Sequence, residues 1–174
     1  MKKSVCILFF SMLLFGCVTN DEKLDTANLE NITNETNENL PIDYRAENTE
    51  EAINALPYKV TLPNLPNGYN PFEVTLLQDV KRDGKLVKAE FTSSKSSDIS
   101  KKITIFTTNK EIEYSGHRKE VQITRNVIGN VLDQNINFKY EGVYYHIEID
   151  ANDRTGNGIQ EQLISLSKQM VQKK

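Results

Sequence analysis

The sequence predicts an α+β domain in which an antiparallel β-sheet is covered on one face by a C-terminal helix, with a short helix at the start of the domain. Three patterns carry this expectation. From Phe72 to Asp150, apolar and polar residues alternate in short runs divided by turn signals. That is the period of strands with one packed and one wet face. At the end of the chain Ile159, Leu163, Leu166 and Met170 recur at helical spacing and form an apolar stripe. Between the two helices, prolines at 57, 63, 66 and 71 interrupt any long regular element before the sheet begins.

The short helix is expected over Glu47 to Leu56, with Thr49 as N-cap, Glu50 and Glu51 in the first turn, and Pro57 directly after its end. Tyr58, Val60 and Leu62 alternate as an entry strand, followed by a turn-rich corner, Leu65-Pro66-Asn67-Gly68-Tyr69. Phe72 to Val80 and Lys85 to Thr92 read as a hairpin closed by Lys81-Arg82-Asp83-Gly84. Ser93 to Ser100 reads as a polar loop, Lys102 to Thr108 as the next strand, and Asn109 to Lys119 as a connection. Then come a strand over Glu120 to Arg125, a turn over Ile128-Gly129-Asn130-Val131 and a strand over Val131 to Tyr140. Glu141-Gly142 reverses the chain into Val143 to Asp150. In that last strand Val143, Tyr145, Ile147 and Ile149 belong to the packed face, and Tyr144, His146 and Glu148 to the other. Asn157 is the expected N-cap of the closing helix, whose Lys168, Lys173 and Lys174 complement its dipole.

Ahead of this domain lies a different kind of sequence. Lys2 and Lys3 precede an apolar run from Val5 to Phe15 that is broken only by Ser11 and ends in Gly16-Cys17. A charged start, a short apolar run and a small residue at a processing site make a secretory signal, and the run is shorter than the roughly 20 residues a membrane span needs. The ending Leu14-Phe15-Gly16-Cys17 resembles the lipobox of bacterial lipoproteins. The resemblance implies cleavage before Cys17, diacylglycerol on its thiol, and a place on the extracytoplasmic face of the cell membrane. The chain then divides into a signal peptide over 1–16, an acidic disordered tether over 17–46 and a single α+β domain over 47–174. Cys6 and Cys17 are the only cysteines, so the domain has no disulfide, zinc-thiolate site or catalytic thiol.

From Asn20 to Leu56 ten acidic residues face only Lys23 and Arg45, a net of −8, whereas Pro57 to Lys174 carries a net of +3. With few apolar residues, Asn20 to Asn39 cannot offset the entropy of ordering, and a flexible tether of about 30 residues spans roughly 30 Å. The basic excess of the domain is small and the whole-chain pI is near 5.5, which argues against nucleic acid as a partner.

Two stretches of the domain carry a second resemblance. Ala55-Leu56-Pro57-Tyr58-Lys59-Val60-Thr61-Leu62-Pro63 with Leu65-Pro66-Asn67-Gly68-Tyr69 is similar to the opening of an uncharacterised domain of Gram-positive exported proteins. Tyr145-His146-Ile147, and then Gly158-Ile159-Gln160-Glu161-Gln162-Leu163-Ile164-Ser165-Leu166-Ser167, are similar to its closing strand and helix. The resemblance implies a curved antiparallel sheet, a terminal helix and a membrane anchor. It implies no activity and no catalytic residues.

Candidate chemistry is sparse. The histidines are His117, in a connection, and His146, in a strand. His146 with Glu148 is one pair on one strand face and falls short of a metal site. Ser115 and His117 lack the surroundings of an activated nucleophile. The run Asp150 to Glu161 matches a calcium loop only in part and reads as a helix-capping loop. No metal and no cofactor is expected. Phe138, Tyr140, Tyr144 and Tyr145 gather aromatic surface in the last hairpin, and Tyr144 with His146 and Arg125 is the expected face for a ligand or partner. The expected function is a non-enzymatic binding or interaction module. It is tied to membrane lipid through Cys17 and acts on a small ligand or an envelope protein. The alternative is an assembly or regulatory factor for the envelope or for sporulation, and the third reading is a cell-wall hydrolase. A ligand binder should offer a concave apolar pocket lined by sheet residues, an interaction protein a flat patch, and an enzyme convergent polar groups.

Overall fold

The computed structural model describes residues 22–33, 39–111, 118–150 and 156–172. The signal run, Cys17, Ser115, His117, residues 151–155 and the helix-end Lys173 and Lys174 lie outside the described residues; Asn157, the expected N-cap, falls within α2. The strands are β1 (Glu30–Asn31), β2 (Ile42–Arg45), β3 (Glu73–Asp79), β4 (Val87–Lys95), β5 (Asp98–Thr108), β6 (Lys119–Thr124), β7 (Val127–Leu132), β8 (Asn135–Tyr140) and β9 (Val143–Asp150). The helices are α1 (Thr49–Ala55) and α2 (Gly156–Gln172). All the strands form one antiparallel sheet in the order β1-β2-β3-β4-β5-β9-β8-β7-β6. It is an open sheet with α2 on one face, so the α+β class holds.

Alternation sets the packed face. Val87, Ala89 and Phe91 on β4, Ile103 and Ile105 on β5, and Val143, Tyr145, Ile147 and Ile149 on β9 are all buried. α2 closes over β6, β8 and β9 with Ile159, Leu163, Leu166 and Met170. Each large apolar side chain fully withdrawn from water contributes about 1.5–3 kcal/mol, so this double layer is the main source of stability. Over the other half of the sheet lie α1 and the chain that leaves it. Asn48, not Thr49, caps α1, its side chain accepting from Glu51 N–H at 2.9 Å. Thr49 instead donates its hydroxyl to Phe72 O at 2.6 Å and pins the helix to the start of β3.

The entry strand expected at Tyr58 to Leu62 joins no ladder. The segment crosses the packed face extended and is held by side chains: the Tyr58 hydroxyl lies 3.2 Å from Val87 O, Thr107 O and Thr107 Oγ1, and Tyr145 donates to Lys59 O at 3.5 Å. Prolines at 57 and 63 remove the donors that a strand would need here.

The expected polar loop at Ser93 to Ser100 is mostly strand. Ser93 sits at an inward position, 1% exposed, with its hydroxyl satisfied by Asn70 O, so polarity does not end β4 there. Only Ser96 and Ser97 turn. The expected turn at Ile128 to Val131 is likewise the body of β7, and the reversals fall at Arg125-Asn126 and at Asp133-Gln134.

The largest departure concerns the expected tether over 17–46. Leu24 is 7% exposed, and its N–H donates to Gly84 O at 2.8 Å. Asp25 N–H donates to Ala55 O at 2.9 Å. β1 and β2 then extend the sheet beyond β3, with Ile42 opposite Asp79 and Tyr44 opposite Leu77. The low apolar content of this stretch is offset by backbone pairing to an existing edge, which needs little apolar area of its own.

Candidate functional site

The face of the sheet away from α2 carries the candidate site. On β9, Tyr144, His146 and Glu148 alternate with the core residues, as the register requires. His146 stands opposite Phe106 on β5 and Asn137 on β8. Its ring lies 5.4 Å from the Phe106 ring, tilted by 46°. With Asn137 Oδ1 as acceptor, the imidazole donates from Nδ1, which leaves Nε2 as its acceptor atom. Burial, aided by the positive charge of Arg118, lowers the His146 pKa to about 4, so the ring is neutral at pH 7.

Beside this pair lies a depression of about 290 Å³ lined by Leu76, Lys88, Ala89, Phe106, Thr107, His146 and Glu148. Leu76 and Phe106 give it apolar walls, while the Lys88 and Glu148 side chains bring a cation and an anion to it. Asn137 is 7% exposed, and its Nδ2 is buried with no hydrogen-bond partner among the described residues. An orphaned buried donor costs about 1–3 kcal/mol.

Tyr144 is half-buried one alternation away from His146, with Lys139 Nζ 4.7 Å from its ring centroid. A hydrogen bond from the Lys139 ammonium to the Tyr144 hydroxyl oxygen raises the Lys139 pKa. Arg125 does not join them. It occupies the β6–β7 turn, separated from β9 by β7 and β8, and the arginine whose charge reaches His146 is Arg118. The displaced turn explains this: the strand that was expected to end at Arg125 ends at Thr124 and reverses there. Leu76, Lys88, Phe106 and Asn137 have no individual signal in the sequence. They become site residues only through the pairing of β3, β4, β5, β9 and β8.

A second hollow, about 310 Å³, lies between the N-terminal segment and α1 and is lined by Asp25, Asn28, Asn48, Glu50, Glu51, Asn54 and Ala55. Among the described residues no group of three His, Cys, Asp or Glu is placed to hold a metal ion. No described helix is long and apolar enough to cross a membrane. Comparison with protein-family models, with curated proteins and with solved structures finds no match.

Proposed function

We propose that the chain is a membrane-tethered extracytoplasmic lipoprotein whose sheet face binds a ligand without transforming it. The observation that carries the reading is the depression between Leu76, Phe106 and His146, a concave and largely apolar hollow lined by sheet residues. Such a shape suits a small amphipathic ligand or one apolar side chain of a partner, with its polar end between Lys88 and Glu148. The neutral imidazole of His146 forms part of the lining beside the apolar walls. The anchor rests on the Leu14-Phe15-Gly16-Cys17 ending, and the resemblance of Ala55 to Tyr69 and Gly158 to Ser167 to an exported Gram-positive domain supports the same placement.

The envelope or sporulation assembly reading draws on one other feature. Ile128, on β7, is 58% exposed and points to the same side of the sheet as Asn130. Backbone amide shifts, followed while fractions of a cell-envelope extract are added, separate the two readings. Perturbations centred on Phe106, His146 and Lys88 support the ligand binder. Perturbations centred on Ile128 favour the assembly factor, and shifts on neither group refute both. The anchor is tested by the mass of the amino-terminal peptide from cells, expected to begin at Cys17 with diacylglycerol on the thiol; an unmodified start at Met1 refutes it.

A further inference from the structure

The first described residues are fastened to one end of the sheet. Leu24 N–H donates to Gly84 O at 2.8 Å and Asp25 N–H to Ala55 O at 2.9 Å. A β-carbon on Gly84 would lie 3.1 Å from Lys23 Cβ, so Lys23 rests directly on the β3–β4 hairpin. That hairpin is itself rigidly organised. Asp79, 3% exposed, accepts from Gly84 N–H at 2.7 Å and Lys81 N–H at 3.3 Å, and Val80 N–H pairs with Leu86 O at 2.9 Å.

Cys17 and Glu22 are five positions apart. Leu24, which bonds to Gly84, lies two positions further on, and an extended residue spans at most about 3.3–3.6 Å, so Cys17 lies within about 25 Å of the hairpin. β4 has 9 residues and β5 has 11. At about 3.3 Å per residue they carry their shared hairpin at Ser96-Ser97 roughly 30 Å further away. The anchor therefore limits how far the hairpin end of the sheet can stand from the bilayer, and places no such limit on the other end.

The chemistry of the near end suits headgroups. Lys23, Lys81, Arg82, Lys85 and Lys110 are exposed there. Arg82 Nη1 donates to Leu40 O at 3.1 Å, which brings the backbone of the 38% exposed Leu40 beside this cation. Asn109 joins the end of β5 to the same tip, with Nδ2 donating to Lys85 O at 2.5 Å and Oδ1 accepting from Val87 N–H at 3.3 Å. The acids at this end are Glu22, Asp25, Asp83 and Glu111, together with Asp79, whose carboxylate is turned inward onto the hairpin backbone.

We infer that the β3–β4 hairpin end of the domain faces the bilayer and rests on anionic lipid headgroups, with the Ser96-Ser97 hairpin pointing away. The inference rests on the lipid-anchor reading above and adds a fixed orientation to it. The hairpin residues 80–86 carry Lys81, Arg82 and Lys85 against Asp83 alone, and with each cation near an anionic surface worth about fivefold in partitioning, this local excess of two gives an orientational preference on the order of twentyfold. The attraction acts at short range, since the Debye length is about 8 Å at physiological salt.

The test uses the acylated full chain in vesicles of phosphatidylcholine, with and without phosphatidylglycerol. Leu40→Cys or Ser97→Cys carries a donor fluorophore, and a fraction of the lipid headgroups carries the acceptor. Energy transfer is expected to be severalfold stronger from position 40 than from position 97, to rise with phosphatidylglycerol and to weaken at high salt. The combined variant Lys81→Gln, Arg82→Gln, Lys85→Gln should lose the phosphatidylglycerol dependence while keeping the anchor. Equal transfer from the two positions, or stronger transfer from position 97, overturns the orientation. The mass of the amino-terminal peptide from the same preparation separates the two failures. An acylated Cys17 with equal transfer overturns the orientation alone, and an unmodified Cys17 overturns the anchor and the orientation together.

Discussion

A β-carbon added at Gly129 would lie 2.8 Å from Cδ1 of Ile123, and 3.0 Å from Cδ1 of Ile136 on the other neighbouring strand. The glycine is in the body of β7 because the ends of these two isoleucines fill the space a side chain would take. Gly129→Ala should therefore destabilise the domain despite lowering the entropy of the unfolded chain. Overpacking of this kind costs about 1–2 kcal/mol, the low end applying because the clashing atoms terminate flexible side chains. Denaturant unfolding of Gly129→Ala alone and with Ile123→Val gives the check. The shorter side chain should recover a good part of the loss, and strict additivity would show that the contact is not the cause.

The Tyr58 hydroxyl lies within 3.2 Å of Val87 O, Thr107 O and Thr107 Oγ1, and joins the extended segment after α1 to β4 and β5. Tyr58→Phe should cost about 1–2 kcal/mol, because buried carbonyl groups lose a donor. The same burial pushes the Tyr58 phenol far above its ordinary value and the Tyr145 phenol up to about 12. The folded state holds these protons where the unfolded chain, with tyrosine pKa near 10, has released them. The stability linked to Tyr145 is thus complete below pH 10 and is lost as pH rises from 10 to 12. Alkaline titration followed by tyrosinate absorbance should show a late phase coincident with unfolding; full ionisation of every tyrosine near pH 10 in the folded protein would contradict the packing.

His146 works in the opposite direction. Its pKa falls to about 4, chiefly by burial, so the folded state excludes a proton that the unfolded state binds below about pH 6.5. Stability linked to this ring is present above pH 6.5 and is lost as pH falls to 4. Because part of the ring meets solvent, the loss should be about 1–2 kcal/mol rather than the full value of the shift. Ring-proton shifts should give a midpoint near 4, and His146→Gln should flatten the acid limb relative to wild type. A midpoint near 6.5 would place His146 in open solvent, away from Asn137 and Phe106.

The strands and the closing helix were legible wherever burial on one face imposed a simple period. Val143 to Asp150 and its partition into two faces follow from alternation alone, as does the stripe on α2. Local chemistry misleads where a neighbour supplies what the residue lacks. Ser93 is polar yet inward because Asn70 O accepts its proton, and Gly129 reads as a turn although Ile123 and Ile136 account for it. The site was half legible for the same reason. Tyr144 and His146 lie on one strand and share its period, whereas Phe106, Asn137 and Leu76 meet them through pairings between strands distant in sequence.

The segment from Glu22 to Asn31 offers the sharpest separation between a free leash and a built part of the fold. Gly84 has φ +74, and a β-carbon there would lie 3.1 Å from Lys23 Cβ and 3.3 Å from Leu24 N. Gly84→Ala therefore strains the hairpin by roughly 1 kcal/mol and also pushes the segment away. Leu24 is 7% exposed, and its truncation to alanine removes most of the apolar area that the segment buries, a cost of about 2–3 kcal/mol. Both changes should appear first as local opening. Protease cleavage before β2 and exchange of the Leu24 N–H should accelerate on the order of tenfold or more for Gly84→Ala and further for Leu24→Ala, in step with the loss of local free energy. The main unfolding transition should move less, because the core between α2 and the central strands is untouched. If the stretch were a solvated tether, neither substitution would alter cleavage or exchange.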